Sequence, residues 1–254
     1  MWKASPEYSA VPDFREVKHL LKASVAPVDG SLILPERTPI SNQGSAGTCT
    51  ANATCDACEQ VMVDVVQLSR RFVYWNALRS RRQETSDSGT DLFACFNSLT
   101  SQGVCEESVW PYDPSAVLVR PSLEAYERAY DNRLATFYSI KPYGTTALES
   151  IEDALHSGYP VAYGLDVNVE TFRSYKIGDV IEPPTVTDGG HAMVIVGYKI
   201  LPSGRKVYVF RNSWGVGWGD KGYGLIAPEY LTSILYEVEF YVPIAVPLAA
   251  ASPT

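Results

Sequence analysis

Histidine is scarce in this chain, with three in 254 residues. Chemistry that needs an imidazole near neutral pH must draw on His19, His156 or His191. Cysteine is sparse as well. Five is too few for a disulfide scaffold, and an odd number leaves at least one thiol unpaired within the chain. Cys55 and Cys58 form a CxxC, but no second CxxC or spare histidine stands near. They are expected to be small buried residues, with no metal and no cofactor. No apolar run approaches 18 residues, so no membrane-spanning helix is expected, and residues 1–8 contain no apolar signal core. Basic residues are outnumbered 21 to 29, giving a net charge of −8, which argues against a nucleic-acid partner. No internal repeat is visible. Neither secretion nor a cytoplasmic location follows from these absences.

Apolar residues make up 46%, enough to bury a core in one large domain or two small lobes around a cleft. The most informative stretch is Pro39–Ala53, a polar loop with Gly44 and Gly47 that runs into a helical pattern. Residues 51, 55, 58, 62 and 65 recur at steps of three or four, which predicts a buried helix face reaching to about Leu68. Cys49 falls at the start of that helix. Unpaired N–H groups and the positive end of the dipole favour a thiolate there, so Cys49 is a candidate nucleophile.

Residues 1–38 read as a separate N-terminal arm, with Asp13 capping a short amphipathic helix that carries Phe14, Val17, Leu20 and Leu21 on one side. It is either a surface arm or an inhibitory pro-segment lying in the cleft. A second helix is expected over 69–79, with Ser69 as cap, and a third over 92–101, ended by Gly103. The turn-rich Trp110–Pro114 marks a boundary between a helical lobe (39–114) and a strand-rich lobe (115–245). Helices are expected over 122–134 and 145–156. Strands are expected over 161–167, 192–199, 206–212, 223–227 and 236–242, and residues 246–254 read as a frayed tail. Helices followed by antiparallel strands define an α+β fold.

A thiolate nucleophile needs a base, and the base an orienter. His191 lies in Asp188-Gly-Gly-His-Ala-Met-Val-Ile-Val-Gly197, at the entrance to an apolar strand. Asn212 lies in Asn-Ser-Trp-Gly-Val-Gly-Trp-Gly, where its amide can accept the imidazole N–H while Trp214 keeps water away. Taken singly, each patch reads as a packed strand or turn.

Together, Asn-Gln-Gly-Ser-x-Gly-Thr-Cys, Gly-His-Ala-x-x-x-x-Gly-Tyr and Asn-Ser-Trp-Gly-x-Gly-Trp-Gly-x-x-Gly-Tyr resemble the three active-site blocks of the papain family of cysteine peptidases, in order. The 142-residue gap from Cys49 to His191 suits that family. The resemblance implies two lobes, a helical one and an antiparallel β-barrel-like one, with the active site between them. It implies Cys49 as nucleophile, His191 as general acid/base, Asn212 as orienter and Gln43 as oxyanion donor. It also implies Ser88 and Gly89 as the loop that pairs with substrate backbone. Gly189, Gly190 and the surroundings of Leu231 would wall the pocket for the second residue before the cut, and Trp214 would shield the Asn–His contact. Ala46 stands where plant and animal members carry a disulfide cysteine, and Thr50 replaces the tryptophan after the nucleophile. Residues 1–38 do not resemble the family's long helical prodomain. The implied protein is a divergent or bacterial-looking endopeptidase, a monomer acting on peptide or protein substrates; self-inhibition by residues 1–38 is suggested by the surplus length before the Gln43 block and stands beside the surface-arm reading. A catalytically silent binding module and an acyltransferase or peptide ligase using the same groups stay open as alternatives.

Overall fold

Helix α1 (Cys49–Val61) is the axis of the first half, with every residue from Cys49 to Gln60 buried. A helix enclosed on all sides must satisfy its own polar groups. Asp56 and Glu59 both pair with Arg70, and Asn52 Nδ2 donates to the Thr48 carbonyl at 2.9 Å. A computed structural model describes residues 1–21, 24–62, 66–141 and 145–244. The tail expected over 246–254 and position 65 of the expected helix face lie outside them.

The helix is shorter than its periodicity predicts. Met62 is already extended, Arg37 donates to the carbonyls of Gln60 and Met62, and Glu59 accepts the Leu68 N–H at 2.7 Å. One side chain distant in sequence, Arg37, thus takes carbonyls that another helical turn would have used, and the Glu59 side chain ties down the chain that follows. Helix α2 (Arg70–Ser80) is capped by Ser69, whose hydroxyl accepts from Phe72 N. Helix α3 (Leu92–Ser101) is capped by Asp91. Gly103, at φ +83°, then turns the chain beneath the Ala129 carbonyl, leaving no room for a Cβ. Helix α4 (Leu123–Tyr130) buries Ala125 and Ala129 in the same apolar cluster as Phe72 and Leu99.

The second half is one antiparallel sheet. Its path runs β2 (Thr136–Ile140), β7 (Val238–Ile244), β3 (Val161–Val167), β4 (Gly189–Ile200), β5 (Lys206–Arg211) and β6 (Tyr223–Ile226), and a two-residue β1 (Leu32–Ile33) pairs with β4. Helices α5 (Thr145–His156), α6 (Val169–Arg173) and α7 (Pro228–Leu231) connect the strands. Strand β4 alternates as a strand buried on both faces must. Ala192, Val194 and Val196 join the helical cluster, while Met193 and Ile195 join a second cluster with Ile151 and Phe210. A register shift between Ile195 and Gly197 moves Tyr198 to that second face.

Two differences bear on the site. Strand β4 begins at Gly189 rather than Ala192, because Gly189 and Gly190 pair with Val167 and Asp166, so His191 stands within the ladder. Strand β2 escapes the sequence pattern because it is an edge strand, with its first three residues only half-buried. The expected amphipathic helix of the arm is instead a pair of 3-10 turns, Phe14–Glu16 and Lys18–Leu20. Pro12 O and Val11 O are engaged by Ser139, which holds the chain on β2 and leaves Phe14 as the buried anchor.

Candidate active site

Cys49 is the first residue of α1 and is 1% exposed. The loop before it is fixed from three sides. Tyr112 donates to the Gln43 carbonyl at 2.8 Å and shares a 2.7 Å hydrogen bond with the Thr48 hydroxyl. Asp87 accepts the Gly47 N–H with both oxygens at 3.1 and 3.0 Å and is itself held by the Tyr74 hydroxyl. Gly44, at φ +60°, makes the turn, and Asn42 Oδ1 accepts its N–H.

Across the cleft, strand β4 carries His191, 5% exposed, against that thiol. Its Nε2 lies 2.8 Å from Asn212 Oδ1. The Ser213 N–H also donates to Asn212 Oδ1 at 2.8 Å, which identifies that atom as the amide oxygen. Nε2 is therefore the donor, leaving Nδ1 for the thiol. Trp214 stacks obliquely over the imidazole at 5.0 Å between centroids, and Phe172 meets its edge at 6.1 Å. These rings exclude water from the His191–Asn212 bond, which strengthens it.

Burial alone would push the Cys49 thiol upward. It is outweighed by the positive charge of the Met1 amino group, the hydrogen bond and charge of His191, and the Ala192 N–H, which together bring Cys49 down to about 6. Cys55, Cys58 and Cys95 are equally buried, and desolvation pushes all three up; the Arg70 charge near Cys55 is opposed by Glu59 and Asp56, and the hydrogen bonds of Thr50 and Thr54 to Cys95 do not offset its burial. All five cysteines are free thiols. Electrostatics separates Cys49 from the others.

Gln43 points its amide into this site. Its Oε1 accepts from the Ser213 hydroxyl at 2.7 Å, and its Nε2 donates to the Ala46 carbonyl at 2.9 Å. An amide nitrogen carries two hydrogens, so one remains for a ligand. A buried ionic cluster ties the two halves together behind the site. Arg211, beside Asn212, reaches Asp56 of α1 and donates to the carbonyls of Thr38 and Pro39.

The cleft measures about 720 Å³ and is lined by Gln43, Cys49, Ser88, Gly189, Gly190, His191 and Trp214, together with Asp87, Phe172 and Met1. Gly89 abuts Met1. Leu231 is fully buried in the second core cluster and is not among the residues lining the cleft. The N-terminal segment lies through this space. The Met1 amino group donates to Gly47 O at 2.8 Å, Trp2 N to Gly190 O at 3.3 Å and Lys3 N to Thr90 O at 3.0 Å. Ser213, Phe172, Tyr112, Asp87 and Trp2 were not legible as site residues. Ser213 alone carried a signal, its place inside the Asn-Ser-Trp-Gly block.

A thiol opening a central helix, facing an imidazole on an antiparallel sheet, defines the papain-like class of cysteine proteases. The chain belongs to that family: the model described as "Papain family cysteine protease" matches residues 35–241. An uncharacterized peptidase C1-like protein of Acanthamoeba polyphaga mimivirus is 31% identical over 223 residues, covering 82% of this chain and 70% of that protein. Ananain of Ananas comosus is 26% identical, covering 77% of this chain and 54% of its own length. The chain thus spans about half the length of such plant relatives. Among solved structures, Xylellain, a cysteine protease from Xylella fastidiosa, has the same fold, with a TM-score of 0.78 at 23% identity over 97% of this chain and 95% of that one.

Proposed function

We propose that this chain is a cysteine endopeptidase that cuts peptide bonds through an acyl-enzyme on Cys49. The observation that carries the reading is the bonded series Cys49–His191–Asn212, with Gln43 fixed beside it by Ser213. The Cys49 thiolate attacks the carbonyl carbon, and the displaced electron pair moves onto oxygen. The free hydrogen of Gln43 Nε2 and the Cys49 N–H receive that oxyanion; such donors are worth roughly 2.7–4 kcal/mol each. The intermediate collapses, His191 protonates the departing amine, and water, giving its proton to His191, releases the acyl group as a carboxylic acid. Asn212 orients the ring, and Trp214 shields their contact. Ser88, Gly89, Gly189 and Gly190 line the path of the peptide.

Residues 1–38 act as the inhibitory segment, 39–114 as the lobe bearing the thiol and 115–245 as the lobe bearing the imidazole. What supports inhibition is the course of Met1–Lys3 through the cleft, pinned to Gly47, Gly190 and Thr90. The test is labelling by an epoxide thiol-protease inhibitor, read by intact mass before and after the arm is cut away. One adduct, absent in Cys49→Ala and formed faster without the arm, together with peptide hydrolysis, is the expected result. Labelling without hydrolysis would identify a silent module. Transfer of the acyl group to added amines in preference to water would identify an acyltransferase or ligase.

A further inference from the structure

The loop from Gln43 to Cys49 has a hydrogen-bond donor for an oxyanion at each end, the Gln43 amide and the Cys49 N–H. The residues between them set their spacing. Tyr112 holds the Gln43 carbonyl and the Thr48 hydroxyl, which leaves Gly47 to another partner. No disulfide supplies one, since all five cysteines are free thiols. Asp87 does. It grips the Gly47 N–H with both oxygens at 3.1 and 3.0 Å, and a Cβ on Gly47 would stand 2.8 Å from Asp87 Oδ1. Gly47 is not at positive φ, so the close approach of the carboxylate, and not the backbone conformation, calls for glycine there.

Asp87 is held in turn by Tyr74, a side chain of α2 with no exposed surface. Its hydroxyl donates to Asp87 Oδ1 and accepts the Gly89 N–H at 3.1 Å, which fixes the plane of that peptide group. Burial and the Asp87 carboxylate push the phenol far up, so it stays a donor at neutral pH. Three segments therefore meet at one carboxylate: the nucleophile loop, the cleft wall at 87–89 and the middle of α2. Asp87 itself is an exposed residue. An exposed carboxylate gains little stability by bonding inward, because water would serve it nearly as well. What these bonds fix is position.

We propose that Asp87, set by Tyr74, is a positioning residue of the peptidase: it ties Gly47, and through it the Cys49 N–H, to the wall that carries Ser88 and Gly89, so that the oxyanion donors and the peptide path keep one geometry. The inference rests on the peptidase reading above and gives neither side chain a contact with the reacting atoms. Geometry of this kind matters to rate, since a misplacement of about 1 Å can slow a reaction about 100-fold.

The test reads Cys49 in two ways. All variants are made in the full chain carrying Trp2→Ala, which takes the arm's bulkiest buried group out of the way. Alkylation by iodoacetamide needs the thiolate but no oxyanion site. Hydrolysis of a blocked peptide anilide needs both. Asp87→Ala is expected to lower kcat by about 10- to 100-fold while alkylation stays within about 3-fold of the Trp2→Ala parent. Its Tm is expected to stay within about 2 °C, as for a surface substitution. Asp87→Asn keeps an oxygen for the Gly47 N–H and is expected to bring kcat back to within about 5-fold of that parent. Tyr74→Phe keeps the ring and removes the hydroxyl alone. It is expected to lower kcat by about 3- to 10-fold and to raise KM by a similar factor, because the Gly89 peptide group loses its anchor. In Asp87→Ala/Tyr74→Phe, kcat is expected within about 2-fold of Asp87→Ala, since the hydroxyl reaches the nucleophile loop only through the carboxylate.

An unchanged kcat in Asp87→Ala would overturn the proposal. So would equal losses in kcat and alkylation, or a fall in kcat that tracks Tm across the set, either of which makes Asp87 a merely structural residue. A double variant slower by the product of the single effects would also overturn it. A Trp2→Ala parent that is alkylated at Cys49 yet cuts no peptide refutes the peptidase reading, and the positioning role falls with it.

Discussion

At the scale of single residues, the site is a problem of controlling charge in a dry place. Cys49 and Cys95 are both fully buried thiols, yet only Cys49 has an imidazole, an amide N–H and a positive amino group around it. Alkylation of Cys49 is therefore expected to rise through a midpoint near pH 6 and stay flat above it, measured by mass spectrometry across pH 4–9. In His191→Ala the midpoint moves up, because a hydrogen bond and a positive charge that favour the thiolate are gone. Gln43→Ala is expected to lower kcat by about 100- to 1000-fold with little change in that alkylation profile, since it removes an oxyanion donor and not a thiolate partner. Glu239 gives an opposite lesson. Its carboxyl is raised by burial from 4.5 to about 8, so between those values the unfolded chain ionises while the folded chain keeps its proton. The stability this group contributes is complete below pH 4.5 and lost as pH rises through about 8. Glu239→Gln, which keeps an acceptor for Ser5, is expected to flatten that slope and raise the Tm at pH 8 by about 2–4 °C.

At the scale of elements, α1 and β5 are held in register by buried ions. Arg70 pairs with Asp56 and Glu59, and Arg211 shares Asp56, all with side chains at most 3% exposed. Arg211 precedes Asn212, and Asp56 lies two turns along α1 from Cys49, so the cluster sets the spacing between thiol and orienter. Arg70→Met leaves two carboxylates with one cation between them. It is expected to cost about 3–5 kcal/mol, read from the urea midpoint. The sequence pattern revealed α1 by its small-residue periodicity and α5 at both of its ends, because those signals are local. It placed the end of α1 seven residues late, at Leu68 rather than Val61, because the groups that stop the helix, Arg37 and the Leu68 N–H on Glu59, come from elsewhere in the chain.

At the scale of the molecule, the arm is the variable part. It is fastened by Trp2 and Phe14 in the two cores, by Ser5 on Glu239, and by Glu7 on Arg81 at 2.6 and 2.7 Å. Glu7, held down to about 2 chiefly by its hydrogen bonds with Arg81, stays ionised in mild acid, and its contribution is lost only as pH falls from 4.5 through about 2. Acidification to pH 4 is therefore expected to leave amide exchange in residues 2–8 protected. Glu7→Gln is expected to speed both that exchange and Cys49 alkylation by about 5-fold, the worth of a partly exposed pair near 1 kcal/mol.

The residues themselves determined the chemistry on offer: a cysteine at a helix start, a histidine behind two glycines and an asparagine before a tryptophan, each written in a short contiguous block. Short blocks carry information about short-range geometry, and that is how far they reach. Only the tertiary structure decided what lies between them. Ala192, Gly164 and Glu239 form one row across β4, β3 and β7 from positions up to 75 apart, and Trp2 finds its seat in that row through contacts spanning more than 160 positions. No local periodicity encodes such a meeting, because it is settled by register between strands and by the space that Gly164 and Gly190 leave open.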